Sequence, residues 1–131
     1  MNKSNFASEF AILTSDRQLK AKRLSPTFYQ ELEIEFAEND GYALISQHHF
    51  IEDWPTWEVH PSGDEFVTLI EGDMTLVLRQ DNQDKTVHLN QPGDHVRVPA
   101  GVWHTAKTHA PTTMLFVTPG AGTLNVASPP I

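Results

Sequence analysis

One short stretch of the chain carries four side chains that can bind a metal ion or transfer a proton. Glu58, His60, Asp64 and Glu65 lie within eight residues, on both sides of a Pro-Ser-Gly turn. If the residues before the turn form a strand, Glu58 and His60 share one face, because strand side chains alternate. Proline and glycine end that strand, and Glu65 can then approach His60 from the start of the next apolar run. The spacing predicts a polar site at a strand end.

A second segment, Gly93 to His104, repeats the order of strand, Pro-x-Gly turn and histidine. Two imidazoles and one carboxylate, from His60, His104 and Glu65, form the facial ligand set of mononuclear iron(II) sites. The same set suits zinc, manganese or nickel. Without a metal, these residues would instead form a hydrogen-bonded polar cluster.

These two segments resemble the two motifs of the cupin family over residues 42–120. The second motif is complete, with its glycine, Pro-x-Gly turn and histidine all at the expected spacing. The first motif matches at its second histidine, its glutamate and its glycine, but Glu58 stands where the first histidine is expected. Glu52 and Thr108 replace a further glycine and an asparagine. The positions that carry the resemblance are Glu58, His60, Glu65, Gly72, Gly93, Pro99, Gly101 and His104.

The resemblance implies that one divalent metal ion (iron, manganese, nickel or zinc) is held by Glu58, His60, Glu65 and His104. Glu58 has three interpretations. As a fourth ligand it makes the donor set harder and favours iron or manganese. It could instead act off the metal, orienting His60 or serving as the catalytic general base. It could also mark a site that has lost its metal.

The function implied is a metal-binding small cupin with a small-molecule pocket in the barrel. An enzyme of this kind would be a metal-dependent dioxygenase or isomerase acting on a small oxygenated or carboxylated substrate. Fold alone does not establish such chemistry. Two alternatives stay open, a non-catalytic metabolite-binding or sensor barrel and a metal-free structural barrel.

The elements that position these residues are predicted to be strands. Apolar runs separated by turn-forming residues, with no helices between them, are typical of a sandwich or closed barrel. The fold class is therefore all-β, a double-stranded β-barrel of the cupin or jelly-roll type with one N-terminal helix. The predicted strands cover residues 42–51, 55–60, 65–70, 73–80, 85–90, 94–98, 103–108 and 112–118.

The domain organisation is predicted as an N-terminal arm, residues 1–24, followed by a barrel with its leading helix, residues 25–131. Residues 10–13 could add a short strand to the arm. The helix is placed at residues 25–38, because Ser25 can cap it and Pro26 suits its first position. Phe28, Leu32 and Phe36 recur at helical spacing. The motifs span residues 58–72 and 93–108, and the tail from residue 118 is predicted to be a loop or arm.

Composition narrows the possible partners. The chain has 131 residues, a net charge of −8 and no cysteine, which excludes a disulfide framework and thiolate metal ligands. The negative charge disfavours nucleic acid, and no apolar stretch is long enough to span a bilayer. The N-terminus lacks the apolar segment of a signal peptide. We therefore expect a cytoplasmic homodimer that binds a small molecule and neither nucleic acid nor membrane.

Five further residues are candidates of lower rank. His48 and His49 are adjacent, so only one can point inward, and neither is expected to be a ligand. Arg97 alternates with valines and is expected to face outward; if its face lined the barrel lumen, it could bind a substrate carboxylate. His88 and His109 are predicted to lie on the surface.

Overall fold

The computed structural model describes residues 2–37 and 41–129. Within these residues the chain forms one helix, α1 (Phe28–Glu35), and eleven strands. The strands, in chain order, are β1 (Glu9–Leu13), β2 (Leu19–Arg23), β3 (Ala43–Phe50), β4 (Trp57–Val59), β5 (Glu65–Glu71), β6 (Met74–Gln80), β7 (Gln83–Leu89), β8 (His95–Val98), β9 (Trp103–Thr108), β10 (Thr112–Pro119) and β11 (Leu124–Val126).

The strands form two antiparallel sheets. The six-stranded sheet has the order β2-β1-β3-β10-β5-β8, and the five-stranded sheet has the order β11-β4-β9-β6-β7. Consecutive strands repeatedly cross from one sheet to the other, as in a jelly roll. This arrangement confirms the predicted all-β class with a single helix. All eight predicted strands are present, with ends shifted by at most a few residues.

The core fills the space between the sheets. Apolar side chains on alternate positions of β5, β6, β9 and β10 point inward, since a strand packed on another sheet buries one face. Each fully buried aliphatic side chain contributes about 1.5–3 kcal/mol. The buried residues of this cluster are Val67, Leu69, Met74, Leu76, Leu78, Leu89, Val98, Ala106, Met114 and Phe116.

A second apolar cluster joins α1 to the six-stranded sheet. It contains Phe10, Ile12, Phe28, Leu32, Phe36, Tyr42 and Leu44. The helical spacing seen in the sequence therefore marks the buried face of α1. β1 and β3 contact α1 through the face of the six-stranded sheet that its other strands turn toward the core. The helix therefore closes one end of the sandwich.

The helix begins later than predicted. Ser25 and Thr27 do not cap it through the backbone; both hydroxyls donate to the carboxylate of Glu31, at 2.6 Å each. The first helical residue is Phe28, so Pro26 lies in the preceding turn. The predicted end at residue 38 lies outside the described residues.

Two regions contain more regular structure than predicted. β1 and β2 form a hairpin on the six-stranded sheet, and β1 pairs with β3, so the sheet continues across residue 24. The division into an arm and a barrel stays a prediction. The tail from residue 118, predicted to be a loop or arm, contains a short strand: β11 pairs with β4, with Asn125 opposite Glu58. A strand of only three residues gives little signal of its own.

Gly72 shows why one motif position needs glycine. It lies between β5 and β6 with φ of 114°, a conformation that favours glycine. A Cβ atom there would come within 2.5 Å of Thr112 Oγ1. The close approach lets Thr112 accept a hydrogen bond from the Asp73 amide (3.1 Å), which fixes the β5–β6 turn to β10. No described helix has the length and apolar character needed to cross a bilayer.

Candidate metal centre

The strands bring the four predicted ligands to one place between the sheets. Glu58 on β4 lies directly opposite His104 on β9, and paired residues point to the same side of a sheet. His60 follows the end of β4, where its carbonyl accepts a hydrogen bond from Gly101 N (3.0 Å) in the turn before β9. Glu65 is the first residue of β5, on the facing sheet. We call Glu58, His60, Glu65 and His104 the cavity cluster.

The distances within the cavity cluster are short. Glu65 reaches both imidazoles, with Oε2 3.2 Å from His60 Nε2 and Oε1 3.2 Å from His104 Nε2. Glu58 Oε2 lies 3.7 Å from His60 Nε2 and 3.9 Å from His104 Nε2. The predicted convergence of the two motifs is therefore present in the structure.

Each of the two imidazoles is held in place by a contact of its Nδ1 atom. His104 Nδ1 lies 3.1 Å from the carbonyl oxygen of Val102, which can only accept, so Nδ1 carries the proton. His60 Nδ1 lies 2.8 Å from Thr123 Oγ1. Each Nε2 then faces the carboxylate of Glu65. Such support of a ligating histidine fixes both its tautomer and its ring orientation.

Three atoms of the cavity cluster are buried without a hydrogen-bond partner: His60 Nε2, His104 Nε2 and Glu65 Oε1. The 3.2 Å approaches of Glu65 to the imidazoles are close, but their angles do not make hydrogen bonds. His60, Glu65 and His104 are 4%, 3% and 0% exposed. An unsatisfied buried polar atom costs about 1–3 kcal/mol, so three of them facing one point indicate a missing partner.

The donor atoms of three residues are close enough together to share a metal ion. Donor atoms of Glu58, His60 and His104 all lie within 4.8 Å of one another. Two ligands that are each about 2.1 Å from a shared ion are about 3.0–4.2 Å apart, depending on the angle between them. The four carboxylate–imidazole distances of the cavity cluster fall in that range. Two nitrogen and two oxygen donors suit iron, manganese, nickel or zinc.

The carboxylates of the cavity cluster differ in their electrostatics. Burial raises the pKa of Glu65, but the contacts with His104 and His60 outweigh burial and lower this pKa to about 2. Thr118 supports the same charge by donating to Glu65 Oε2 (2.7 Å). Burial, together with the negative charge of Glu65, raises the pKa of Glu58. Glu65 is thus the fixed anion, and Glu58 is the carboxylate better able to accept a proton.

Three members of the cavity cluster, Glu58, His60 and Glu65, line a cavity of about 580 Å³, and His104 is buried beside them. This size is suitable for a small-molecule ligand. One wall is aromatic, with Phe50 and Trp54 ring centroids 5.4 Å apart and Trp54 and Phe116 centroids 6.0 Å apart. The helix α1 contributes Tyr29, whose pKa is raised to about 12 by burial and by the charges of Glu58 and Glu65.

The lower-ranked candidates lie outside the cavity cluster. His48 lines the cavity, where its Nε2 lies 3.2 Å from Tyr29 Oη, and His49 pairs with Thr113. Arg97 is exposed and binds Asp64 at 3.0 Å, so the alternative in which it lines the barrel lumen is wrong. The adjacent valines Val96 and Val98 pack toward the core, as the alternation predicted.

The surface histidines were predicted correctly, and one group was missed. His88 and His109 are exposed. Thr118, Thr123 and Tyr29 contact the cluster or line the cavity, yet no motif spacing includes them. They come from the end of β10, the tail and the helix, and only the tertiary fold brings them to the site.

Comparison with known proteins supports the fold. A family model described as a cupin domain matches residues 52–120. A cupin superfamily protein from Desulfitobacterium hafniense is similar in structure, with a TM-score of 0.50, 23% identity, and coverage of 59% of this chain and 66% of that one. No curated protein matches the sequence.

Two enzymes of known structure share the fold at low identity. A recombinant oxalate oxidase in complex with glycolate has a TM-score of 0.55 and 14% identity, covering 63% of this chain and 45% of that one. Hydroxypropylphosphonic acid epoxidase from S. wedmorenis has a TM-score of 0.50 and 17% identity, covering 58% and 42%. The match spans less than half of each enzyme, and the likeness concerns the fold alone.

Proposed function

This chain belongs to the cupin family, and from that premise we propose that the cavity cluster binds one divalent metal ion beside a small-molecule pocket. The ligands proposed are His60, His104, Glu65 and Glu58. One observation carries the proposal: His60 Nε2, His104 Nε2 and Glu65 Oε1 are buried close together without hydrogen-bond partners. Two carboxylates make the donor set hard, which favours iron or manganese.

The proposed activity is metal-dependent conversion of a small oxygenated or carboxylated compound, by dioxygenase or isomerase chemistry. The metal would supply Lewis acidity or oxygen activation. The chain's own contribution is positional. Glu65 provides a fixed negative charge, and Thr123 and the Val102 carbonyl orient the two imidazoles. Glu58, with its raised pKa, is placed to accept a proton from a bound molecule.

A non-catalytic metabolite-binding barrel is the second candidate. It is favoured by the size of the cavity and by its aromatic wall, neither of which depends on catalysis. Two assays of the metal-loaded protein with a panel of small oxygenated compounds separate the candidates. Oxygen consumption detects a dioxygenase and analysis for isomerised product detects an isomerase, whereas a barrel that only binds gives neither. The proposed homodimer is tested by light scattering, and the absence of nucleic-acid binding stays a prediction from the net charge of −8.

Elemental analysis of the freshly purified protein tests the metal proposal. We expect about one iron, manganese, nickel or zinc per chain, and a lower content in Glu58→Ala if that residue is a ligand. Unchanged metal content in Glu58→Ala would instead place Glu58 off the metal, as the residue that orients His60 or as the general base. Absence of metal even after reconstitution would contradict the proposal.

A further inference from the structure

We infer that the pocket selects organic cations over organic anions. The inference deepens the proposed function, because it concerns the ligand of the same cavity and rests on that cavity being the binding site. It also narrows the substrate class, since a carboxylated compound is then disfavoured. Three features of the described residues carry it: the charges that line the cavity, the charge of the cluster itself, and the aromatic wall.

The lining of the cavity is acidic. Five carboxylates line it, and no lysine or arginine does so within residues 2–37 and 41–129. These carboxylates are Glu33, Glu52, Asp53, Glu58 and Glu65. An anion that enters would leave water without gaining an oppositely charged side chain, and it would also be repelled by the carboxylates already there.

Three basic side chains elsewhere in the described residues are already paired with other acids. Lys22 on β2 lies 3.6 Å from Glu31 and 3.3 Å from Glu35. Arg97 binds Asp64 on the far side of the six-stranded sheet. Lys107 approaches Asp53 at 3.9 Å, and Asp53 also accepts a hydrogen bond from the Thr108 amide. Glu33 and Glu52 are therefore the lining carboxylates whose charge is most available to a ligand.

Glu58 stands where the cupin motif has a histidine, and it lowers the net charge of a metal-loaded centre by one. With two neutral imidazoles, two carboxylate ligands balance the charge of a divalent ion. A histidine at position 58 would leave one net positive charge at the same place. The electrostatic attraction of the loaded centre for an anionic ligand is correspondingly weaker.

The aromatic wall favours a cation. Tyr29, Tyr42, Phe50, Trp54 and Phe116 all line the cavity. The faces of aromatic rings carry negative charge density and attract ammonium groups, most strongly where water is excluded. Aromatic faces and carboxylates together are complementary to an amine that also has an apolar body.

Three probes of the same shape test the inference: benzylamine, benzyl alcohol and benzoate, titrated calorimetrically into the purified protein. We expect benzylamine to bind about tenfold more tightly than benzoate, with benzyl alcohol between them, and the difference to shrink in concentrated salt. Benzoate binding as tightly as benzylamine would overturn the inference. Absence of measurable benzylamine binding at about 1 mM would also overturn it.

A charge variant at the cavity rim locates the effect. Glu33→Gln combined with Glu52→Gln should weaken benzylamine binding several-fold and leave benzyl alcohol unaffected. Glu71→Gln combined with Asp81→Asn removes the same number of charges at exposed carboxylates that do not line the cavity. This control variant should bind all three probes as the wild type does. Equal loss in the rim and control variants would mean that net charge, rather than the pocket, sets the preference.

Metal content measured on the same samples separates this inference from the proposed function. A protein without metal that still prefers benzylamine would contradict the metal proposal and support the cation preference, because Glu33 and Glu52 act without the ion. A protein with about one metal per chain that prefers benzoate would support the metal proposal and contradict the cation preference.

Discussion

Within residues 2–37 and 41–129, two groups of histidines beside a carboxylate share residue types but differ in burial and in hydrogen bonding. The cavity cluster is buried between the sheets. The second group, which we call the surface cluster, consists of Asp73, His88 and His109. His88 Nε2 lies 2.6 Å from Asp73 Oδ1, and the two imidazole centroids are 6.0 Å apart. The imidazole centroids of the cavity cluster are 5.2 Å apart, so distance does not distinguish the two groups.

The hydrogen bonding of the imidazole nitrogen atoms does distinguish the two clusters. In the surface cluster, His88 Nε2 contacts Asp73 and His109 Nε2 lies 2.9 Å from Thr75 Oγ1, and the His88 side chain is 53% exposed. In the cavity cluster both Nε2 atoms are buried and unpartnered. Because leaving such an atom unpaired is costly in a dry interior and cheap in water, only the cavity cluster indicates a bound ion.

The largest expected effect is the loss of metal when a histidine of the cavity cluster is removed. His60→Ala or His104→Ala should lower the bound metal content at least about tenfold, since each variant lacks one proposed metal ligand. His88→Ala is the matched control from the surface cluster and should retain the wild-type content. Metal content is measured by elemental analysis after dialysis against limiting metal.

Two results would contradict the distinction between the cavity cluster and the surface cluster. Wild-type metal content in both His60→Ala and His104→Ala would contradict the assignment of the cavity cluster. An equal loss in His88→Ala would show that metal binds to both groups. Circular dichroism of each variant establishes that it is folded before its metal content is compared.

A smaller effect is expected from the group that orients His60. Thr123→Val removes the hydroxyl that lies 2.8 Å from His60 Nδ1, so the ring is less well fixed. We expect metal affinity to fall about tenfold, measured by competition with a chelator. Thr123→Ser keeps the hydroxyl and should restore most of the affinity.

Thr113→Val provides the control for that prediction. Thr113 Oγ1 lies 2.9 Å from His49 Nδ1, which is the same kind of threonine–histidine pair outside the cavity cluster. Its removal should leave metal affinity unchanged. A loss in Thr113→Val equal to that in Thr123→Val would mean that threonine removal acts through general stability, and the orienting position of Thr123 would then be wrong.

The parts of the site that could be predicted from sequence are those encoded locally. Glu58 and His60 are two residues apart, and the spacing from Gly93 to His104 fixes a strand, a turn and a histidine. Alternation along β8 also gave the correct outward direction of Arg97. Each of these predictions needs only the period of a strand and the chemistry of a turn.

The parts that could not be predicted depend on tertiary pairing. Thr123 reaches His60 because the chain turns back and β11 pairs with β4, and nothing in the sequence of the tail specifies that partner. Tyr29 enters the cavity because α1 closes one end of the sandwich. α1 starts later than predicted, and the hydroxyl groups of Ser25 and Thr27 donate hydrogen bonds to Glu31 instead of capping the helix backbone.

The smallest expected effect concerns the stability contribution of the surface cluster. Asp73→Asn removes the charge that contacts His88, but the pair is exposed, so water already solvates both groups. We expect the free energy of unfolding to fall by about 0–1 kcal/mol, measured by urea denaturation of metal-free protein so that metal release makes no contribution. Asp84→Asn, which breaks the exposed 2.8 Å pair with Arg79, is the matched control. A loss of about 3 kcal/mol or more in Asp73→Asn alone would mean that the surface cluster is a structural element comparable to a buried ion pair. Solvent exposure would then be a poor guide to the difference between the two histidine groups.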